Sequence, residues 1–207
     1  MSLFGRVVAA GYDMTMASTE KAGLSAHRKK LIGMVTGRVL EIGAGTGANL
    51  PFYGEGVEEL VITEPEDAMA ARLERKLGNH SLPVRVVRAS AESLPFEDGS
   101  FDFAVSTLVL CSVEDPLRAL GEIRRLLKPG GQLVFVEHVH SEDPRLARWQ
   151  DRLNPLWALV GHGCNCNRNT QRNVEKAGFS ISELAHDQLR RVPPIVRPLI
   201  VGTAERV

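Results

Sequence analysis

The stretch Val39-Leu40-Glu41-Ile42-Gly43-Ala44-Gly45-Thr46-Gly47-Ala48 decides how the rest of the chain is read. Its first four residues are a short apolar run, broken only by Glu41 and stopped by glycines, which suits a strand buried in a parallel sheet. Glycines there let the backbone turn tightly and come close to a ligand, and a helix following them would offer free N–H groups to an anion. Alone, the stretch is ambiguous. Gly43, Gly45 and Ala48 also satisfy the G-x-G-x-x-G/A spacing of a dinucleotide site, and Glu64, 21 residues after Gly43, stands where a ribose-binding acid is required.

Working outward, strand-like and helix-like stretches alternate. Leu60–Thr63 is a second strand. Pro65 opens a helix with Glu66 and Asp67 in its first turn, Met69, Leu73 and Leu77 recur on one face, and Gly78 stops it. Val84–Val87 is a third strand and Phe101–Leu110 a fourth. Asp115-Pro116 starts a helix striped by Leu120, Ile123 and Leu127, and Pro129-Gly130-Gly131 turns the chain into a fifth strand, Gln132–Val139. Past residue 140 a helix over Arg145–Val160, interrupted near Pro155, leads through Gly161-His162-Gly163-Cys164-Asn165-Cys166 to a helix over Thr170–Ala177. Phe179–Leu184 and Leu199–Ala204 supply two last strands, the final one antiparallel. Parallel neighbours need right-handed crossovers, so the expected fold is α/β, a Rossmann-like doubly wound sheet of seven strands with helices on both faces.

The 207 residues make one domain, with a helical lid segment over 1–38 broken at Gly23, a core over 39–140, an insertion over 141–178 and terminal strands over 179–207. Lys+Arg and Asp+Glu both number 25, which argues against a nucleic-acid partner, whose binding rests on a cationic surplus. That zero sums unlike parts: +4 over residues 1–38, −9 over 39–144 and +5 over 145–207. Three cysteines are too few for a disulfide framework, and no apolar run approaches the ~20 residues of a membrane span, so a cytoplasmic protein is expected.

The glycine stretch is followed by Ala91-Glu92-Ser93-Leu94-Pro95-Phe96-Glu97-Asp98-Gly99-Ser100-Phe101-Asp102 and later by Leu126-Leu127-Lys128-Pro129-Gly130-Gly131. In this order and spacing the three blocks resemble the class I S-adenosylmethionine-dependent methyltransferases, in the branch that holds small-molecule, quinone and lipid methyltransferases. The resemblance spans residues 37–140 and implies S-adenosylmethionine as cofactor and S-adenosylhomocysteine as product. It implies that Gly43, Ala44 and Gly45 pass beneath the methionine part and that Glu41 orients the loop or meets the amino group. Glu64 would accept both ribose hydroxyls, which a two-oxygen carboxylate can do. Pro65 or Met69 would lie on the adenine. The family has Asp two residues before the Glu92 position; Ser90 stands there instead, so Ser90 or the backbone at Ala91 and Glu92 would meet the adenine amino group. Gly47, Asn49 and Thr107 complete the implied cofactor set.

A narrower likeness runs from Thr107-Leu108-Val109-Leu110-Cys111-Ser112-Val113 through Glu137-His138-Val139 to Trp157, Gly161-x-Gly163-Cys164 and Arg168-x-Thr170. It is similar to the animal microsomal alkyl-thiol methyltransferases and their bacterial relatives, although their N-terminal membrane anchor is not expected here. It implies a small-molecule acceptor, a thiol first. Transfer from a sulfonium is an in-line displacement, and a thiol needs only mild help to lose its proton. His138, at the carboxyl end of the fifth strand, is the candidate catalytic residue; Tyr12, Cys111, Trp157 and His162 are candidate substrate-side residues, with His27 and Trp149 as further lid candidates. His162, Cys164 and Cys166 lack the fourth ligand of a structural zinc site, so no metal is expected. Two alternatives stay open: a phospholipid or quinone methyltransferase touching membranes through Arg28-Lys29-Lys30 and Arg190-Arg191, and a protein that binds the cofactor without turnover.

Overall fold

A computed structural model describes residues 11, 13–14, 16–78 and 82–207. Gly37–Ile42 forms strand β1 and Val57–Thr63 β2; Val84–Val87 is β3 and Phe101–Thr107 β4. Leu127–His138 is β5, Phe179–Gln188 β6 and Pro198–Arg206 β7. They make one sheet in the order β3-β2-β1-β4-β5-β7-β6. The first five are parallel, and β7 runs antiparallel to both β5 and β6. This is the Rossmann-like, mostly parallel sheet that the alternating pattern predicts. Strand order reverses between β1 and β4, so the carboxyl ends of those strands open the crevice in which such sheets bind ligands.

Alternation along the strands feeds two cores. Leu40, Ile42, Leu133 and Phe135 pack on one face of the sheet, and Val39, Leu60, Ile62 and Val134 on the other. Ser25–Ile32 (α1) and Asp67–Leu77 (α2) cover the second face through Leu31, Ile32 and Leu73. Pro116–Leu126 (α3) covers the first through Leu120, Ile123 and Leu126. The Asp115 carboxylate caps α3 by accepting from the N–H groups of Leu117 and Arg118, with Pro116 preset for the first turn. From α3, Arg125 donates to the carbonyls of Leu94 and Phe96 at 3.0 and 2.9 Å, and Glu122 accepts from Leu94 N at 2.9 Å. Ser100 N also donates to Leu126 O at 2.8 Å and Lys128 Nζ to Asp102 at 2.6 Å, so the second and third sequence blocks are bound to each other.

Four expectations need correction. No α-helix follows the glycine stretch: only residues 43–56 separate β1 from β2, and they hold turns and one 3-10 turn, Leu50–Phe52, begun by Pro51. Strand β4 stops at Thr107 rather than Leu110, because Leu108 is left-handed (φ 59°) and the next N–H groups turn to a carboxylate. Strand β5 begins at Leu127; Pro129-Gly130-Gly131 forms a bulge within it, so that Phe101 pairs with Leu127 and Phe103 with Gln132. Pro144–Val160 (α4) runs through Pro155 unbroken. Pro155 lies on the exposed side, where the carbonyl it leaves unbonded can turn to water. Thr170–Lys176 is α5, and Gly23 (φ 143°) breaks helical geometry within Glu20–Leu24. No helix among the described residues is long and apolar enough to cross a membrane.

One side chain of helix α4 gathers four backbone groups from the segments around it. Gln150 is fully buried; its Nε2 faces the carbonyls of Val139, Cys166 and Ile195 at 3.0, 2.8 and 2.9 Å, and its Oε1 accepts from Ser141 N at 2.7 Å. Gln150→Leu strands these buried groups and is expected to cost about 2–4 kcal/mol, lowering the melting temperature by roughly 5–15 °C in calorimetry.

Candidate active site

Glu41, near the end of β1, is 2% exposed, and both its oxygens are taken by the protein. Asn49 Nδ2 donates to Oε1 at 2.9 Å and the Tyr53 hydroxyl to Oε2 at 2.7 Å. Burial pushes the Glu41 carboxyl above the usual range, and the Tyr53 and Asn49 hydrogen bonds and the Arg28 charge only partly oppose it. Asn49 also donates to Thr107 Oγ1 at 3.2 Å, and its carbonyl accepts from Arg28, which pairs with Glu20 at 3.0 Å. Of the two roles the resemblance offers Glu41, this geometry is that of a loop-orienting group.

The glycines divide the work. Gly45 (φ 57°) has nothing within 4 Å of where a Cβ would stand, so its bare side faces open space that a ligand can fill. Gly47 (φ 81°) faces inward, where a Cβ would come within 2.6 Å of Leu73 Cδ1, so it serves packing and lines no cavity described below. Glu64 follows β2; its Oε2 accepts from Gly45 N at 2.8 Å and its Oε1 from Glu66 N at 2.9 Å. Burial raises its pKa against those two backbone N–H groups, and each oxygen keeps capacity for a further donor.

A cavity of about 410 Å³ lies between Glu64, Pro65 and Met69 on one side and Ser90, Ala91 and Glu92 on the other. The Ser90 hydroxyl donates to Glu92, whose other oxygen accepts from Glu114 N at 2.8 Å. A smaller cavity of about 110 Å³ is lined by the Gly43-Ala44-Gly45 backbone, Arg28, Glu41, Asn49 and Thr107. A third, of about 530 Å³, is mainly apolar and holds Cys111, His138, Trp157, His162 and Cys164. Leu108, with its left-handed backbone, borders all three, and Ser112 and His162 border the first and third. Four carboxylates line the first cavity, whereas among the described residues lining the third there is none, and Arg191 is its one Lys or Arg side chain.

His138 is 8% exposed, and its Nδ1 is buried without a hydrogen-bond partner. Burial lowers its pKa to about 4, and backbone groups of Val196 and Pro198 oppose this only in part. Cys111 lies beyond β4, not inside it, and its thiol pKa is pushed up by hydrogen bonding to Cys164, by burial and by the Glu137 charge. Tyr12 falls outside the described residues. His27 pairs with Asp187 at 2.9 Å, and Trp149 is 55% exposed and lines none of these three cavities.

Sequence reasoning missed Arg28 and Tyr53, and it placed Glu137 at the carboxyl end of the fifth strand without reading its role. Fully buried on β5, Glu137 accepts from Ser106 Oγ at 2.7 Å, Val109 N at 3.0 Å and Cys111 N at 3.3 Å, and so shapes the loop between the cavities. A lone acid in the apolar run Leu133–Val139 was the available signal; for Arg28, within Arg28-Lys29-Lys30, there was none.

Open cradle and acid-lined cavity at the switch point of this sheet define a class I S-adenosylmethionine-dependent methyltransferase. The methyltransferase-domain family model matches residues 40–135. Thiol S-methyltransferase TMT1A of Homo sapiens is 38% identical over 199 residues, covering 93% of this chain and 80% of its own length. A solved S-adenosylmethionine-dependent methyltransferase of Thermotoga maritima superimposes with a TM-score of 0.70 at 24% identity over 98% of each chain. Geranyl diphosphate C-methyltransferase of Streptomyces coelicolor, solved with S-adenosyl-L-homocysteine, gives 0.69 at 15% identity over 88% of this chain and 78% of its own. The two structures speak to the fold alone. The chain belongs to the S-adenosylmethionine-dependent methyltransferase family that includes the thiol S-methyltransferases.

Two glycine substitutions separate cradle from packing. Gly45→Ala, strained by about 1–2 kcal/mol and projecting into open space, is expected to weaken S-adenosylmethionine binding about tenfold or more in calorimetry. Gly47→Ala, pressed on Leu73, should instead lower stability by about 2–4 kcal/mol. His138 gives a pH signature. Its folded pKa of about 4 lies below the ordinary 6.5, so the unfolded chain binds the extra proton between those values. Its neutral burial therefore favours folding above pH 6.5, and that contribution, of order 3 kcal/mol, is lost as pH falls toward 4. His138→Leu should flatten this part of the stability–pH curve measured in urea.

Proposed function

We propose that the chain methylates small lipophilic thiols, with S-adenosylmethionine across the 410 and 110 Å³ cavities and the acceptor in the 530 Å³ cavity. The carrying observation is the contrast of linings: carboxylates where a cationic cofactor belongs, and an apolar wall without a carboxylate to oppose the negative charge a thiol sulfur gains as it gives up its proton. The thiol activity of the human relative supports the same choice. The fit rests on the open face of Gly45, the spare acceptor capacity of Glu64 toward ribose hydroxyls, and Arg28, which can exchange Glu20 for a cofactor carboxylate. Pro65 and Met69 would flank the adenine, and Ser90, Ala91 and Glu92 its edge.

Bound S-adenosylmethionine supplies a methyl group already activated by a sulfonium charge and leaves as S-adenosylhomocysteine. The residues have three tasks. Leu108, set at the junction by Glu137's hold on the following backbone, keeps acceptor sulfur and methyl carbon in line and excludes water. His138 Nδ1 accepts the thiol hydrogen. Because the ring is a weak base, the proton moves only as the sulfur lone pair forms its bond to the methyl carbon. Trp157 and the Val192-Pro193 segment pack against the alkyl part.

An acceptor panel of alkyl thiols, phenols and primary amines, assayed by S-adenosylhomocysteine release, tests the reading. Thiols should lead, with KM falling as the alkyl chain lengthens; turnover of amines or phenols alone would overturn it. His138→Ala should lower kcat about tenfold or more at pH 7, with the deficit closing above pH ~9 where the thiol ionises unaided. An equal loss at every pH would remove His138 from proton handling. Arg28→Ala should raise the cofactor Kd about tenfold with little effect on the acceptor KM.

A further inference from the structure

The outward face of α4 carries cations and apolar side chains that no other described residue covers. Arg145, Arg148 and Arg152 recur at spacings of three and four, so they share one stripe, which continues through Leu156, Leu159 and Val160. Trp149 on that stripe is 55% exposed, Leu156 66%, Leu159 81% and Val160 73%, half of the eight large apolar side chains exposed among the described residues. The three guanidinium groups have no side-chain partner among the described residues, and with the Trp149 ring they line a shallow recess. At its other end the same helix reaches the acceptor cavity, which Trp157 and Val160 line. Elsewhere on that cavity's wall, Arg191 also borders a second basic recess with Lys21 and Met14.

A patch of this kind marks an interaction surface. Its chemistry selects the partner. Guanidinium groups match phosphate, an indole favours the depth of lipid headgroups, and protruding leucines match acyl chains. A second copy fits poorly, since a two-fold contact would set the stripe against itself with three arginines and no acid on it; Asp151, at its margin, is engaged by His140 at 3.3 Å and Asn167 at 3.0 Å.

We infer that α4 docks on an anionic lipid bilayer and thereby sets the mouth of the acceptor cavity against the membrane, so that a lipophilic acceptor enters from the bilayer. The delivery half rests on the cavity being the acceptor site; the docking half does not, and flotation measures docking without cofactor or turnover.

The purified full chain is floated with vesicles of phosphatidylcholine, alone or with about one quarter phosphatidylglycerol. It should rise with the anionic vesicles only, with a blue shift in tryptophan emission that Trp149→Phe removes. Arg145→Glu with Arg148→Glu should lower partitioning about tenfold or more, and Leu156→Gln with Leu159→Gln comparably, while turnover of a short water-soluble thiol stays within about twofold. Absence of flotation, or binding that survives both double variants, overturns the inference. So does a concentration-dependent dimer that Leu159→Gln dissociates, which would make a second copy the occupant.

Discussion

Three buried carboxylates at the carboxyl ends of β1, β2 and β5 hold the functional end of this molecule together. A buried carboxylate without donors is too costly to keep, so the chain after each strand must bend back to supply them. Glu41 draws in Asn49 and Tyr53, Glu64 draws in the N–H groups of Gly45 and Glu66, and Glu137 draws in Ser106, Val109 and Cys111. The loops so fixed are the walls of the three cavities. Satisfying buried charge and shaping the site are one requirement here.

Carboxylates also sort the charge around the cavities. Acidic walls stand on the Glu64 side of Leu108, and an apolar wall with a neutral imidazole stands on the other. The overall charge of zero conceals this separation, which the uneven distribution along the chain already suggests: the −9 segment contains Glu64, Glu92 and Glu114, and the +5 segment contains Arg191 and α4 from Arg145 onward. Helix α4 extends the division to the surface, with Gln150 anchoring its inner side while its arginines and leucines face outward.

Much of the architecture was legible because it follows from local pattern. Short apolar runs marked all seven strands, with β1, β3 and β7 placed to within two residues at each end, and Asp115-Pro116 marked the start of α3. The failures share a cause. Phe101–Leu110 reads as one strand until the Glu137 carboxylate, 27 residues beyond Leu110, captures Val109 and Cys111. Pro155 reads as a break, yet it falls on the solvent side of a helix held from within by Gln150. The glycine stretch implies a following helix, but residues 43–56 leave room only for turns before β2.

The sequence by itself determined the sheet, its winding and the glycine turn with the acid that faces it, because strand periodicity, glycine spacing and an acid after β2 are short-range facts written in consecutive residues. Only the tertiary structure decided that Glu41 is consumed by Asn49 and Tyr53, that Arg28 reaches the glycine loop, and that His138 shares a cavity with Cys111 and Trp157. Those relations join residues far apart in the chain. They exist because packing two cores against one sheet brings the loops at its carboxyl edge within reach of one another.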